Sequence, residues 1–214
     1  MNKKKTKKVD NIVVAGLVIN SLIVLLELIG LVICFSIHGL EIFEYYTVDS
    51  NLLLLLSSGF LVYTNACKLL GKDAFNIKWF APFRYVSVLS TIVTFFVVLT
   101  VLAPHDGFKA MFIEDAFVFY HLLCPLLAAV CFVFLEKYEF KVMDSLRALY
   151  FTFVYGTVLI LLNVLKVVNG PYEFFKVYEQ NVFVSIFWFV ALIGAAYIFS
   201  TILRHLNKKL CIVK

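Results

Sequence analysis

Six long apolar stretches with almost no charge constrain this chain more than any other feature. Each is close to the ~20 residues that a helix rising 1.5 Å per residue needs to cross a hydrocarbon core of about 30 Å. The stretches are continuous rather than alternating, and about twice the length of a barrel strand, which excludes a membrane β-barrel. The pattern therefore predicts an all-α integral membrane protein, a bundle of six transmembrane helices. The expected spans are 12–36, 50–70, 83–103, 116–135, 148–168 and 182–203, flanked by a basic start (1–11) and a basic tail (205–214). Short connections make sequential helices antiparallel neighbours. The first stretch follows a basic start, as a signal peptide would. However, its apolar part exceeds the ~7–15 residues of a signal-peptide core and no small-residue cleavage site follows it, so it reads as an uncleaved span.

Composition agrees: 63% of residues are hydrophobic and 15% are charged, against about 25% charged in a soluble domain. The net charge of +5 does not point to nucleic acid, because no basic face with interleaved aromatics lies outside the apolar runs. The distribution of charge gives an orientation. With the N-terminus in the cytoplasm, sixteen Lys and Arg residues fall in inside segments. Only Lys109, Lys166 and Lys176 fall outside. By the positive-inside rule both termini are then cytoplasmic. In that orientation Tyr45, Tyr46 and Tyr172 belong to an outer aromatic belt, and Trp79, Phe80 and Tyr85 to an inner one.

The five cysteines, Cys34, Cys67, Cys124, Cys131 and Cys211, are odd in number and show neither metal-ligand spacing nor a disulfide framework. No phosphate loop or dinucleotide fingerprint is present, so no cofactor and no metal are expected.

A polar group in hydrocarbon is costly and needs a partner or a purpose. His121, in the fourth span, lies roughly 8 Å below the outer boundary at the helical rise. It can serve as a proton acceptor or donor, or simply bond a neighbouring helix. Thr47 opens the second span, either as a helix N-cap or as a functional hydroxyl. Asn51 follows one turn later on the same face. The expected topology brings Thr47 and His121 to the same shallow, outer side. Glu27 is the one carboxylate deep in a span, expected to be neutral or paired, with Asn20, Asn65 or the third-span hydroxyls as partners. Ser87, Ser90, Thr91 and Thr94 line one face of the third span and read as interhelical glue or as the lining of a polar cavity. Asn163, one turn from Lys166 in the fifth span, has no assigned role.

Three short stretches carry a family resemblance. Thr47-Val-Asp-Ser-Asn-Leu-Leu53 resembles the F-T-x-x-S-N stretch of small six-span bacterial membrane proteins. His121-Leu-Leu-Cys-Pro125 resembles their H-x-x-x-P motif. Asn169-Gly-Pro-Tyr-Glu-Phe174 resembles their G-x-Y-P-Y-x-F stretch, without its usual Tyr-Pro-Tyr order. Those proteins are similar to the androgen-induced family, which includes the androgen-dependent TFPI-regulating protein. The resemblance implies a bacterial plasma-membrane threonine hydrolase of lipid esters. In the family's eukaryotic members the substrates are fatty acid esters of hydroxy fatty acids. By the same resemblance Thr47 is the nucleophile and His121 the base.

The chemistry expected of such a pair is acyl transfer, with the base activating the hydroxyl. Asn51 or Ser50 is a candidate oxyanion donor. Glu114, two turns before His121, is the candidate for holding its tautomer. Two other classes remain open. Cys124 lies one turn from His121 and can be read as the nucleophile of a cysteine acyltransferase, although apolar surroundings disfavour the thiolate. A small transporter, channel or receptor is the non-enzymatic reading. Membrane lipids are the expected partners, with no nucleic acid.

Overall fold

The apolar runs form helices because nothing inside a bilayer can satisfy their backbone groups except their own i→i−4 ladder. The computed structural model describes the backbone of residues 3–73 and 77–213, and the side chains of 11–73 and 79–213. The lysines of the basic start, Lys78 and Lys214 lie outside the described side chains. The described chain is all-helical, and six of its helices are long and apolar enough to cross a membrane.

Helix α1 runs Lys3–His38 and turns through a 3-10 segment, Gly39–Glu44, into α2, Tyr46–Leu69. Helix α3, Ile77–Val97, continues through a π turn, Val98–Leu102, to Ala103–Asp106. A short connector helix, Phe108–Phe112, leads to α4, Val118–Leu135, which is α-helical only over Cys124–Val130 and π-helical on either side. Helix α5 spans Val142–Val164 and α6 spans Val182–Leu210. Relative to the expected spans, α3 and α5 begin earlier and α6 ends later. Lys166 falls beyond α5, at φ +57°, with its ammonium 5.0 Å from the Tyr178 ring.

The core lies where α1, α2, α3 and α4 meet, around Ile23, Leu54, Leu89, Ala128 and Phe132. The third-span hydroxyls are glue in part: Ser87 pairs with Ser57 at 2.7 Å and Thr94 with Ser50 at 3.0 Å, tying α3 to α2.

Arg84, at the inner edge of the expected third span and one of the sixteen cations counted on the inside, is fully buried. Its guanidinium forks onto Glu136, with Nη2 2.8 Å from Oε1 and Nε within 3.2 Å of both carboxylate oxygens. Nη1 donates to Ser57 and Ser58, and Nη2 also donates to Asn20. Tyr138 donates to the other side of the carboxylate at 2.9 Å. Helix α3 begins at Ile77, so Arg84 stands about two turns inside it rather than at its end, and the pair with Glu136 satisfies what burial would leave unmet. Arg84 also takes Asn20, one of the partners expected for Glu27.

Candidate active site

Thr47 sits in the first turn of α2. The N-cap is Tyr45, in extended conformation and without a side-chain cap, so Thr47 does not cap the helix. Its hydroxyl is free for another helix, and Oγ1 lies 3.4 Å from Nε2 of His121. Both residues are buried. The separation is at the long end of hydrogen-bond reach, as is common for catalytic pairs before substrate draws them together.

His121 is placed by a local break in α4. Pro125 stands four residues later, and a proline ring in a helix clashes with the carbonyl at i−4, here that of His121 itself. The chain relieves this by widening into the π turn Val118–Leu123, a device often found at functional sites. The imidazole is stacked on Phe117, with centroids 4.7 Å apart and planes at 10°. Its Nδ1 lies 2.6 Å from the carbonyl oxygen of Met111. A carbonyl only accepts, so Nδ1 carries the proton and the lone pair of Nε2 faces Thr47. That carbonyl is available because Met111 lies in the last turn of the connector helix, where intrahelical donors run out.

The supporting roles differ from those expected. Glu114 does not hold His121: it is exposed, and its carboxylate is 4.0 Å from Lys109. Both donors of Asn51 are taken by carbonyls, Thr47 O at 2.7 Å and Tyr120 O at 3.4 Å, while its Oδ1 is buried without a partner. Asn51 therefore presents an acceptor, not an oxyanion donor. Ser50 donates to Thr47 O at 3.0 Å and pairs with Thr94.

Tyr172 takes a place that no residue-level expectation gave it. Its phenol faces the Thr47 side chain and the backbone amides of Thr47 and Tyr46. These are first-turn N–H groups of α2, which have no partner within their own helix. Burial pushes the Tyr172 hydroxyl up to about 12, so it remains a donor at neutral pH. The segment carrying Tyr172 is fastened to α5 by Asn163. The Asn163 Oδ1 accepts from Val177 N at 3.3 Å, and a Cβ at Gly170 would stand 2.8 Å from Asn163 Nδ2. Position 170 is thus glycine because the asparagine occupies the space a side chain would need.

Thr47 opens onto a narrow, partly open cavity of about 50 Å³ between α3, α5 and α6. Polar groups cluster at the Thr47 end: Tyr46, Thr94, Thr152, Tyr155 and Tyr172. Most already have partners. Tyr46 bonds Thr152 at 2.7 Å and Tyr155 donates to Glu44 O at 2.6 Å. The remaining wall is apolar, with Val93, Val97 and Leu102 facing Phe189 and Leu192. A second, surface cavity between α5 and α6, about 430 Å³, shares Phe189 with the first.

Cys124 is fully buried against the Glu27 carboxyl and does not line the Thr47 cavity. Glu27 Oε1 has no hydrogen-bond partner. Neither Asn20 nor Asn65 serves it: Asn20 bonds Gly16, Cys131 and Arg84, and Asn65 lies against Gly16. All five cysteines are free thiols.

Comparisons with family models, curated proteins and solved structures find no match to this chain. The site therefore rests on its own geometry. Tyr172 lies in the third motif stretch, but the sequence assigned it no role in the site. Nor was the role of Met111 foreseeable, since any residue can supply a carbonyl.

Proposed function

We propose that this chain is a membrane-embedded lipid ester hydrolase in which Thr47 is the nucleophile and His121 the general base. One observation carries the reading: the Thr47 hydroxyl, at the polar end of an apolar cavity, faces the unprotonated nitrogen of a histidine whose tautomer is fixed from behind. A threonine hydroxyl becomes nucleophilic when a positioned base removes its proton.

In the first half-reaction Thr47 Oγ1 bonds to the ester carbonyl carbon while its proton passes to His121 Nε2. The bond to the alcohol oxygen then breaks, and His121 returns the proton to that leaving group, giving acyl-Thr47 and a free alcohol. In the second half, water attacks the acyl carbon, its proton goes to Nε2, and Thr47 leaves with that proton. Ester and water become acid and alcohol. Charge on the carbonyl oxygen develops beside the first-turn amides of α2 and the Tyr172 phenol, a donor set of the kind that stabilises an oxyanion. This replaces the donors first sought in Asn51 and Ser50.

Loop charge supports a bundle with both termini in the cytoplasm, the Thr47 end toward the outside, and a bacterial plasma membrane as its setting. Membrane lipids are the proposed partners, and the similarity to the androgen-induced family is consistent with an ester of a fatty acid as substrate.

The test is labelling of the purified protein with a lipid-like fluorophosphonate, alongside Thr47→Ala, His121→Ala and Cys124→Ala. Labelling is expected to be lost with Thr47→Ala, reduced with His121→Ala and kept with Cys124→Ala. Retention in Thr47→Ala overturns the assignment, and loss only in Cys124→Ala transfers it to the thiol. Absence of any labelling, with solute flux into liposomes, supports a transporter instead.

A further inference from the structure

The cavity beyond Thr47, at about 50 Å³, is much smaller than the ~300–1,000 Å³ of a site that encloses a whole small molecule, so it receives only part of a ligand, and its polarity is one-sided. Groups that can hydrogen-bond a ligand gather at the Thr47 end, and the rest of the wall is aliphatic or aromatic. A ligand part placed there finds no partner for a polar atom, so a hydroxyl or charge would be buried unmet. What fits is hydrocarbon.

Gly156 lies in this wall, in the middle of α5. Its backbone is helical and does not require glycine; φ is not positive. A helix interior disfavours glycine relative to alanine, so local propensity does not explain it either. Space does. A Cβ at 156 would stand 3.1 Å from Phe189 Cε2 and 4.0 Å from Phe175 Cζ, both rings of the cavity wall. The missing side chain lets the Phe189 ring lie against α5, and a side chain at 156 would press that ring and narrow the cavity it walls.

We infer that the cavity receives the first methylenes of one unbranched acyl chain of the substrate, the rest leaving by its open side, and that Gly156 determines which chains it accepts. The inference deepens the hydrolase reading and rests on it for the position of the ester carbonyl at Thr47. The polar cluster orients the head of the chain, and Gly156 together with Leu192 sets the room left for the tail.

The experiment has a kinetic and a binding arm. The kinetic arm measures kcat/KM of the full-length protein toward 4-nitrophenyl esters of increasing straight-chain length. Specificity is expected to rise by up to about fourfold per methylene while each is buried, and then to level off. Gly156→Leu should move that plateau to shorter chains and lower long-chain kcat/KM at least tenfold more than short-chain kcat/KM. Leu192→Ala, which enlarges the same space, should move it to longer chains, so the inference does not depend on one variant folding. The binding arm uses Thr47→Ala, unable to form the acyl-enzyme, with Trp79→Phe. Trp188, whose ring is 5.4 Å from the cavity residue Phe174, is then the remaining tryptophan. A fatty acyl methyl ester brominated at its tail should quench Trp188, and Gly156→Leu should weaken that quenching for long chains.

If both variants leave the chain-length profile and the quenching unchanged, the inference is overturned. If quenching shows the expected length dependence but no ester is hydrolysed, the acyl pocket stands and the hydrolase reading fails. If esters are hydrolysed through Thr47 with a profile indifferent to position 156 and to Leu192, the hydrolase stands and the pocket fails.

Discussion

The carbonyl oxygen of Met111 lies 2.6 Å from Nδ1 of His121, and this single contact decides which imidazole nitrogen faces Thr47. In hydrolases that use a side-chain carboxylate for this purpose, the orienting group also compensates the charge of the imidazolium. A carbonyl supplies orientation with only a partial charge. His121→Ala should therefore lower kcat/KM by about 10²–10⁴, the usual range for a general base. Glu114→Gln should leave it within about twofold, because that carboxylate is exposed beside Lys109. A loss in Glu114→Gln as large as that in His121→Ala would contradict the geometry.

Pro125 supplies a second expectation. Pro125→Ala lets the π turn Val118–Leu123 relax toward an ordinary α-helix, rotating His121 relative to Thr47. The substitution also removes a residue that costs a helix interior about 3 kcal/mol. Thermal stability in detergent should hold or rise while kcat/KM falls tenfold or more. A parallel fall of both would show that the proline is needed for folding instead.

Tyr172 ties stability to alkaline pH. Its hydroxyl titrates near 12 in the fold, chiefly through burial, against about 10 in an unfolded chain. Raised in the folded state, it contributes stability that is complete below pH 10 and is lost as the pH rises toward 12. Thermal melts of the wild type from pH 9 to 12 should decline more steeply than those of Tyr172→Phe. If Tyr172 is an oxyanion donor, the same variant should lower kcat by about tenfold to a thousandfold at neutral pH with little change in KM.

The Arg84–Glu136 pair should behave as a structural lock. Glu136→Gln or Arg84→Met, each removing one charge, should cost about 3–5 kcal/mol, and the double variant Arg84→Met/Glu136→Leu less than either. Thermal unfolding in a fixed detergent measures this. A double variant that loses as much as the two singles combined would show that the pair is worth more than an apolar replacement.

The helical bundle was legible because bilayer-length hydropathy leaves few alternatives. The proximity of Thr47 and His121 was legible because helix order and antiparallel packing carry positions from one span to the next. What the sequence left undetermined follows from atoms it does not specify. A backbone carbonyl holds His121, and the Asn51 amide turned its donors to carbonyls within the bundle. Arg84 was misplaced for a related reason: a cation near a span boundary reads as an inside charge unless its buried partner, more than fifty residues away, is known. Asn163 gained a role only when the Gly170 backbone was seen against it.

Phe189 is a wall shared by the inner cavity and the lipid-side gap between α5 and α6. A chain that arrives past this ring comes from the plane of the bilayer, and its supply is counted per lipid molecule rather than per litre. Turnover in vesicles should then follow the mole fraction of substrate in the membrane. Adding inert phospholipid at constant bulk substrate should slow it, whereas diluting the whole suspension with buffer should leave the rate per protein unchanged.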